Sequence, residues 1–433
     1  MNDSSHRLAR QSGFGALAVM LLLLFGTSIV VFYLNRGLIF EQKTSANQLR
    51  STTAFEVAEA GLEWATGMLN TPTLVTPHCT MTTSFRERYL GTGAVSPTPR
   101  TYPGCKISGT TLACQCPGAA GAGAEVFANP NSDVLPSFTL SFEAMGDPQA
   151  VRVTSTGCTA QAGMCRPNTA LTPSGATTGN SDAWAQVSVI LKLRSLLRAA
   201  PSAPLTCGGA CNVGGSYDIF NTDVASNGYL INSGTTITLQ PGNGAQYVTI
   251  PGQPLTNAMI ANDDTLTALT GNNGSGCADS TFFRAFFGTT IAEYRASPQV
   301  ITINCGSGNC NTQVSNAYNA GWRSFYFPAA NGVQLSNITL GAPGEGNGVN
   351  LVSDGDIQTS GLTTIYGLVY GNNASLDYNG TGGASIFGAM VTCNLYDSNG
   401  NGTLTYVPGS LGGNGLRPGS MVRVPGSWRD FTP

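Results

Sequence analysis

The sequence predicts an α+β unit followed by an all-β unit: a long N-terminal transmembrane helix packed on a small antiparallel sheet, then a β-solenoid (β-helix-like) distal domain. Three observations predict it. Residues 14–34 are an uncharged apolar run that continues, with no proline until Pro72, into an amphipathic stretch. Residues 137–191 hold segments of alternating apolar and polar side chains. Beyond Pro201 and Pro204, short apolar triplets recur between Gly/Asn turns, and one six-residue pattern returns after 21 residues.

The apolar run, FGALAVMLLLLFGTSIVVFYL, has the length of a membrane span: 21 helical residues cover about 31 Å. His6, Arg7 and Arg10 precede it, which places the N-terminus in the cytoplasm and the rest outside. A cleavable secretory signal would have a shorter apolar run and a small-residue cleavage site. A plain single-pass anchor is the other alternative. After the run, Phe55, Ala58, Leu62 and Ala65 fall on one helical stripe, while Glu41, Lys43, Arg50, Glu56, Glu59 and Glu63 supply a wet face. One helix of about 55 residues over 14–70, with 14–34 in the membrane, is expected, ended by Pro72 and Pro77.

Residues 71–200 then form the antiparallel unit. Its strands fall at Ser137–Phe142, Ala150–Ser155 and Ala183–Leu191, with Trp184 and Leu191 in the core. Residues 201–433 form the distal unit. Ile365–Tyr370 recurs as Ile386–Val391, with a short alternating run over Ala374–Tyr378 between them; Ile338–Leu340, Val349–Val352, Tyr229–Ile231 and Ile237–Leu239 behave alike. Short strands repeated between tight turns suit a solenoid in which each rung buries its inward Ile, Leu or Val against the next; a β-sandwich is the alternative. Residues 277–328, with TFFRAFFG and GWRSFYFP, interrupt the pattern as an insertion with a short helix, capping the stack. Their aromatics are expected to pack in a core, the rival being a contact surface.

Composition narrows the function classes. Charged residues are 10% of the chain and the net charge is −3, with no basic patch to track phosphates, so nucleic acid is not an expected partner. Twelve cysteines outside the first 70 residues point to disulfides and an oxidising compartment. The close pairs Cys158/Cys165, Cys207/Cys211 and Cys305/Cys310 are the expected bridges, whereas Cys114 and Cys116 are too near each other for a direct one. Zinc is disfavoured: only His78 lies near a cysteine, and there is no CxxC pair. Asp263/Asp264, Asp354/Asp356 and Asp397 are the carboxylates available to a β-helix enzyme, but no histidine follows His78 and no nucleophile elbow, P-loop or dinucleotide fingerprint appears. No catalytic residue, enzyme activity or cofactor is expected. Calcium is the one weak metal candidate, at Asp397, Asn399 and Asn401, in a run that lacks the glutamate closing an EF-hand loop.

Two ends of the chain carry a resemblance. A basic leader, residues 1–13, ends in Gly13-Phe14 directly before the apolar helix, which looks like a class III prepilin signal. The helix then holds Ala54-Phe55-Glu56-Val57-Ala58-Glu59-Ala60-Gly61-Leu62, which resembles the A-F-x-x-A-E-A-G-L stretch of PilX-like type IV pilus assembly proteins, with Ala58, Glu59, Ala60 and Gly61 its centre. The tail Val424-Pro425-Gly426-Ser427-Trp428-Arg429-Asp430-Phe431 is similar to the end of that group. The resemblance implies cleavage by prepilin peptidase after Gly13 and N-methylation of Phe14. It also implies a pool in the bacterial inner membrane, an assembly platform there, and other pilins and minor pilins as partners in an extracellular pilus. It departs at the fifth mature position, where most pilins have Glu and this chain has Ala18. In related systems the subunit without that Glu sits at the fibre tip, so the resemblance implies a tip or near-tip minor pilin supporting assembly or adhesion. A type II secretion pseudopilin and a membrane-anchored β-helix adhesin or polysaccharide-active protein outside any pilus are the alternatives.

Overall fold

A computed structural model describes residues 12–71, 85–90, 103–116, 135–147, 149–159, 183–242, 244–271, 274–305, 309–328, 332–344, 347–372, 375–380, 382–398, 400–412 and 419–430. Helix α1 runs unbroken over Ser12–Asn70, about 88 Å at 1.5 Å per residue. Its final turns lie on an antiparallel sheet of β1 (Gly104–Ser108), β2 (Thr111–Gln115), β3 (Ser137–Ala144), β4 (Ala150–Cys158) and β5 (Trp184–Ser195), beside the short helix α2 (Phe85–Leu90). Val151 and Val153 on β4, and Val187, Val189 and Leu191 on β5, close over Ala58, Leu62, Ala65 and Leu69 of the helix. The expected helix stripe is this buried face, with Phe55 at its half-buried rim.

Trp184 departs from expectation. It is 42% exposed, whereas Leu191 is fully buried. Strand side chains alternate with period 2, so Trp184 shares its face with Gln186 and Ser188, away from α1, while Val187, Val189 and Leu191 share the other.

The second sheet has 17 strands and its strand pairs are parallel. The chain enters it through β6 (Leu205–Cys207), β7 (Cys211–Phe220), β8 (Ile231–Ser233), β9 (Ile237–Pro241), β10 (Tyr247–Val248) and β11 (Met259–Ile260). Helices α3 (Asp264–Thr270), α4 (Ser275–Ala278), α5 (Thr281–Phe287) and α6 (Ile291–Ala296) follow. Strand β12 (Ile301–Thr302), helix α7 (Asn311–Asn319) and strands β13 (Ser324–Phe327), β14 (Val333–Ser336) and β15 (Thr339–Leu340) come next. The remainder is β16 (Val349–Ser353), β17 (Ile357–Ser360), β18 (Thr364–Gly371), β19 (Ser375–Gly380), β20 (Ala384–Thr392), β21 (Leu395–Ser398), β22 (Asn401–Tyr406) and α8 (Pro408–Gly412).

Register explains the repeat seen in the sequence. Ile365–Tyr370 lies in register beside Ile386–Val391, so the 21-residue period is the offset between two neighbouring parallel strands. One column of apolar side chains runs Ile301, Phe325, Leu351, Val369, Met390, Leu205, Ile231, Met259 across successive strands. A second runs Leu340, Ile365, Ile386, Leu404, Ile219, Tyr247. Both belong to one core cluster. In each column the numbers climb and then fall back: residues from 205 onward stack beyond the last rung of the chain rather than before the first.

That jump accounts for the interruption in the repeats. After Ile260 the chain must return to the opposite edge, and α3 to α6 carry it there along the outside of the stack. Phe282, Phe283, Phe286 and Phe287 of α5 cover Tyr370 and Val391, outward-facing residues of the strands. The expected insertion of 277–328 is therefore corrected. The helical return spans 264–296, and GWRSFYFP supplies β13, a rung of the stack. Phe282, Phe283, Phe286, Phe287, Phe325, Tyr326 and Phe327 are core, and Trp322 packs half-buried against it. Val314 and Ala317 of α7 join the interior columns at the β12 end of the stack.

The expected end of the distal unit at 433 also changes. A final strand, β23 (Gly419–Arg423), leaves the stack and pairs antiparallel with β5, completing a six-stranded first sheet in the order β2-β1-β3-β4-β5-β23. The parallel stack is thus inserted between two neighbouring strands of the helix-bearing sheet.

Cys207–Cys211 and Cys305–Cys310 bond as expected, joined by Cys105–Cys114 across a hairpin and Cys277–Cys393, which pins α4 to the end of β20. Cys158 is also disulfide-bonded; its expected partner Cys165, like Cys79 and His78, lies outside the described residues.

Candidate assembly helix and its docking surface

Along α1 the side chains divide into two regimes. From Leu17 to Phe40 the large apolar residues are 52–76% exposed. Each gains about 1.5–3 kcal/mol when fully removed from water, so together they outweigh the 5–15 kcal/mol (roughly) that holds a domain folded. Such a surface requires lipid or other helices. The Thr27 hydroxyl is satisfied within the helix, donating to Leu23 O (2.9 Å) and Leu24 O (3.1 Å), as a lipid-facing position demands. Ala18 lies on this exposed segment, and Gly13 and Phe14 lie in the first turn of α1.

From Ala54 onward the helix changes role. Ala58 is fully buried, Glu59 and Ala60 face out, and Gly61 is buried against the sheet. A Cβ at Gly61 would collide with Ser155 Oγ and lie 2.9 Å from the Phe138 ring. From the sheet side, a Cβ at Gly157 would strike the backbone at Ala54 O and Ala58 N. Gly61 thus leaves room for the Ser155 and Phe138 side chains, and Gly157 lets the sheet backbone reach that of α1 at Ala54 and Ala58. This is the physical content of the A-E-A-G-L stretch.

The tail docks on the same surface. Pro425 and Gly426 (φ 74°) form a turn closed by Ser427 N donating to Val424 O at 3.1 Å. Ser427 Oγ accepts from Ile190 N at 3.1 Å, and Arg429 exchanges two backbone bonds with Ser188 at 2.7 and 2.8 Å. Trp428 meets Phe55 edge-on with ring centres 6.2 Å apart. Arg423 pairs with Glu63 at 2.8 Å, an exposed contact of small energetic weight. The two sequence segments that carried the resemblance therefore touch each other in space.

Asn70, the last residue of α1, ties the surface together and was not singled out in the sequence. Its side-chain amide donates to Met421 O (2.9 Å) and accepts from Met421 N (2.7 Å), mimicking one more strand on the open edge of β23. Its carbonyl accepts from Gln299 Nε2 of the distal unit. Beside it, buried Arg86 donates from Nε to Leu69 O at 2.8 Å, satisfying a free carbonyl at the helix C-terminus, where a cation is favoured. Burial lowers the Arg86 guanidinium to about 10, still charged at neutral pH. Asparagine at a helix end is common in sequences, so only the position of β23 reveals this role.

Of the carboxylates considered for chemistry, Asp263 and Asp354 hold local structure. Asp263 caps α3, accepting from Thr265 N at 2.9 Å. Asp354 accepts from Tyr326 Oη and, at 3.0 Å, from Asn372 Nδ2. Asp397 lies within β21, in register with Asp377 and Asn212, and Asn401 opens β22. Asn399 between them lies outside the described residues. Among the described residues no group of three or more His, Cys, Asp or Glu side chains is placed to hold a metal ion.

No protein family and no curated protein matches the chain. Among solved structures it is similar to the competence-associated pilin ComZ from Thermus thermophilus, at 14% identity over 88% of this chain and 97% of that one, with a TM-score of 0.25. A likeness at that level is too slight to assign a fold or a function.

Proposed function

We propose that the chain is a pilin-like subunit. It is held in the bacterial inner membrane by residues 14–34, cut by prepilin peptidase after Gly13, methylated on Phe14, and passed by the assembly platform into a type IV pilus. The observation that carries this reading is the division of α1: one rigid helix bears an exposed apolar half and a half that is the core of an antiparallel sheet. A plain anchor has no need of a continuous helix between the two. A fibre subunit does, because the helix must leave lipid for a bundle of like helices without disturbing the domain that it carries. The PilX-like A-E-A-G-L stretch and tail, which meet in space, support the same reading.

Within that role the protein is a minor pilin at or near the fibre tip. Ala18 offers no carboxylate to a neighbour's N-terminal amine, and a subunit above it would lack that docking signal. The stacked parallel strands of the distal unit act as a β-solenoid-like cargo displayed by the fibre, in support of assembly or adhesion. The role is non-enzymatic and uses no cofactor.

Replacing Gly13 by a bulky residue such as Leu tests the reading. The expected result is a full-length precursor confined to the inner membrane and absent from sheared surface fibres. Normal processing and normal fibre incorporation of that variant would overturn it.

A further inference from the structure

We infer that the distal stack is a folding checkpoint on the assembly module: β23 docks, and the α1-bearing sheet closes, only after β22 has joined the two halves of the stack. Topology sets the order. The stack is inserted between β5 and β23, and its own interior is closed by the C-terminal rungs: β20 pairs with β6, β21 with β7, and β22 with β7. Rungs built from residues 205–260 therefore have no template on that side until residues 390–406 arrive.

The joint between the two sheets depends on the same late segment. Leu196 and Leu197, immediately after β5, are buried in one cluster with Tyr406, the last residue of β22, and Leu411 of α8. Tyr406 Oη donates to Pro201 O at 2.6 Å, so the end of β22 holds the linker that leaves β5. Arg198 N and Ala199 N donate to Phe286 O of the helical return at 2.7 and 3.0 Å. Both crossing points are thus fixed by residues that take their places only in a closed stack. Beyond them, β23 is the strand that gives α1 its last contacts, through Asn70 and Glu63. A chain with an unfinished cargo presents a helix whose docking surface is incomplete. The coupling of the two sheets stands on topology alone; its consequence for fibre assembly rests on the function proposed above.

Hydrogen exchange on the full chain in detergent micelles tests the coupling. Leu404→Asp places a charge in β22 opposite Ile219, at a fully buried seam position. The expected result is exchange about tenfold or more faster over 419–430, with β3 and β4 still protected, because local opening is read residue by residue. Protection of 419–430 at the unmodified level while 211–220 and 401–406 open would overturn the inference. If Leu404→Asp abolishes protection throughout, Tyr406→Phe decides: removing one hydroxyl should speed exchange over 419–430, and no change there would be contradictory. Asn70→Ala fixes direction: it should loosen 419–430 and leave the stack as it was, whereas opening of both would mean one cooperative unit rather than a checkpoint. In the fibre fraction, Leu404→Asp should be depleted in step with lost protection; undiminished incorporation would remove the link to assembly. Absence of the unmodified chain from fibres would instead defeat the pilin reading and leave the exchange result standing.

Discussion

At Gly61 two opposing effects compete, and their sizes decide the outcome. Alanine in a helix is favoured over glycine by about 1 kcal/mol. Forcing a methyl into a filled contact costs about 1–3 kcal/mol, and here it meets the fully buried Phe138 ring. Gly61→Ala is therefore expected to destabilise on balance, as a lower denaturant midpoint with unchanged slope. Gly157→Ala should be worse, since the methyl would meet the backbone of α1, which cannot rotate away as Ser155 can. Equal effects would show that the helix rides higher on the sheet than the geometry has it. Asn70→Ala, by removing both bonds to Met421, should cost about 1–3 kcal/mol at each peptide group left unpaired, read as faster exchange at β23. Of these residues, Gly61 was legible in the sequence as part of a stretch. Gly157 and Asn70 were not, because their partners lie about 100 and 350 residues away and a close approach leaves no local trace.

Elements were legible where a period sets them. The 3.6-residue stripe of α1 and the period-2 strands of the first sheet are local properties. The 21-residue repeat in β18 and β20 is a register written directly into sequence. Trp184 was misplaced because its parity relative to Val187 puts it on the other face of the strand. The aromatics of α5 looked like a break in the repeat because they cover the stack from outside and so follow helical, not strand, spacing. For α1 the exposed apolar half makes an expectation of its own: the full chain should extract from membranes only with detergent. A chain lacking residues 14–34 should remain in solution with β1 to β5 and the stack intact, read by far-UV circular dichroism and by its four described disulfides. Membrane retention of that shortened chain would place the anchor elsewhere.

Across the whole molecule, the chain folds back through itself: sheet, stack, return, stack, sheet. Composition and repeats pointed to stacked strands, but no periodicity reports that residues 205–260 lie beyond residue 406. The covalent mark of that arrangement is Cys277–Cys393, which bridges 116 residues and was not among the expected close pairs. Replacing both cysteines by serine should lower stability by about 2–5 kcal/mol, measured by chemical unfolding, with the α3 to α6 return loosening first. Unchanged stability would mean that packing of Phe282 to Phe287 holds the return unaided. In the proposed function, α1 is processed and passed from lipid into a fibre. Mass spectrometry of the chain recovered from sheared surface fibres tests it most directly. The expected species begins at Phe14 and is heavier by one methyl group at its amine; a chain found only in the membrane, with residues 1–13 still attached, would contradict that function.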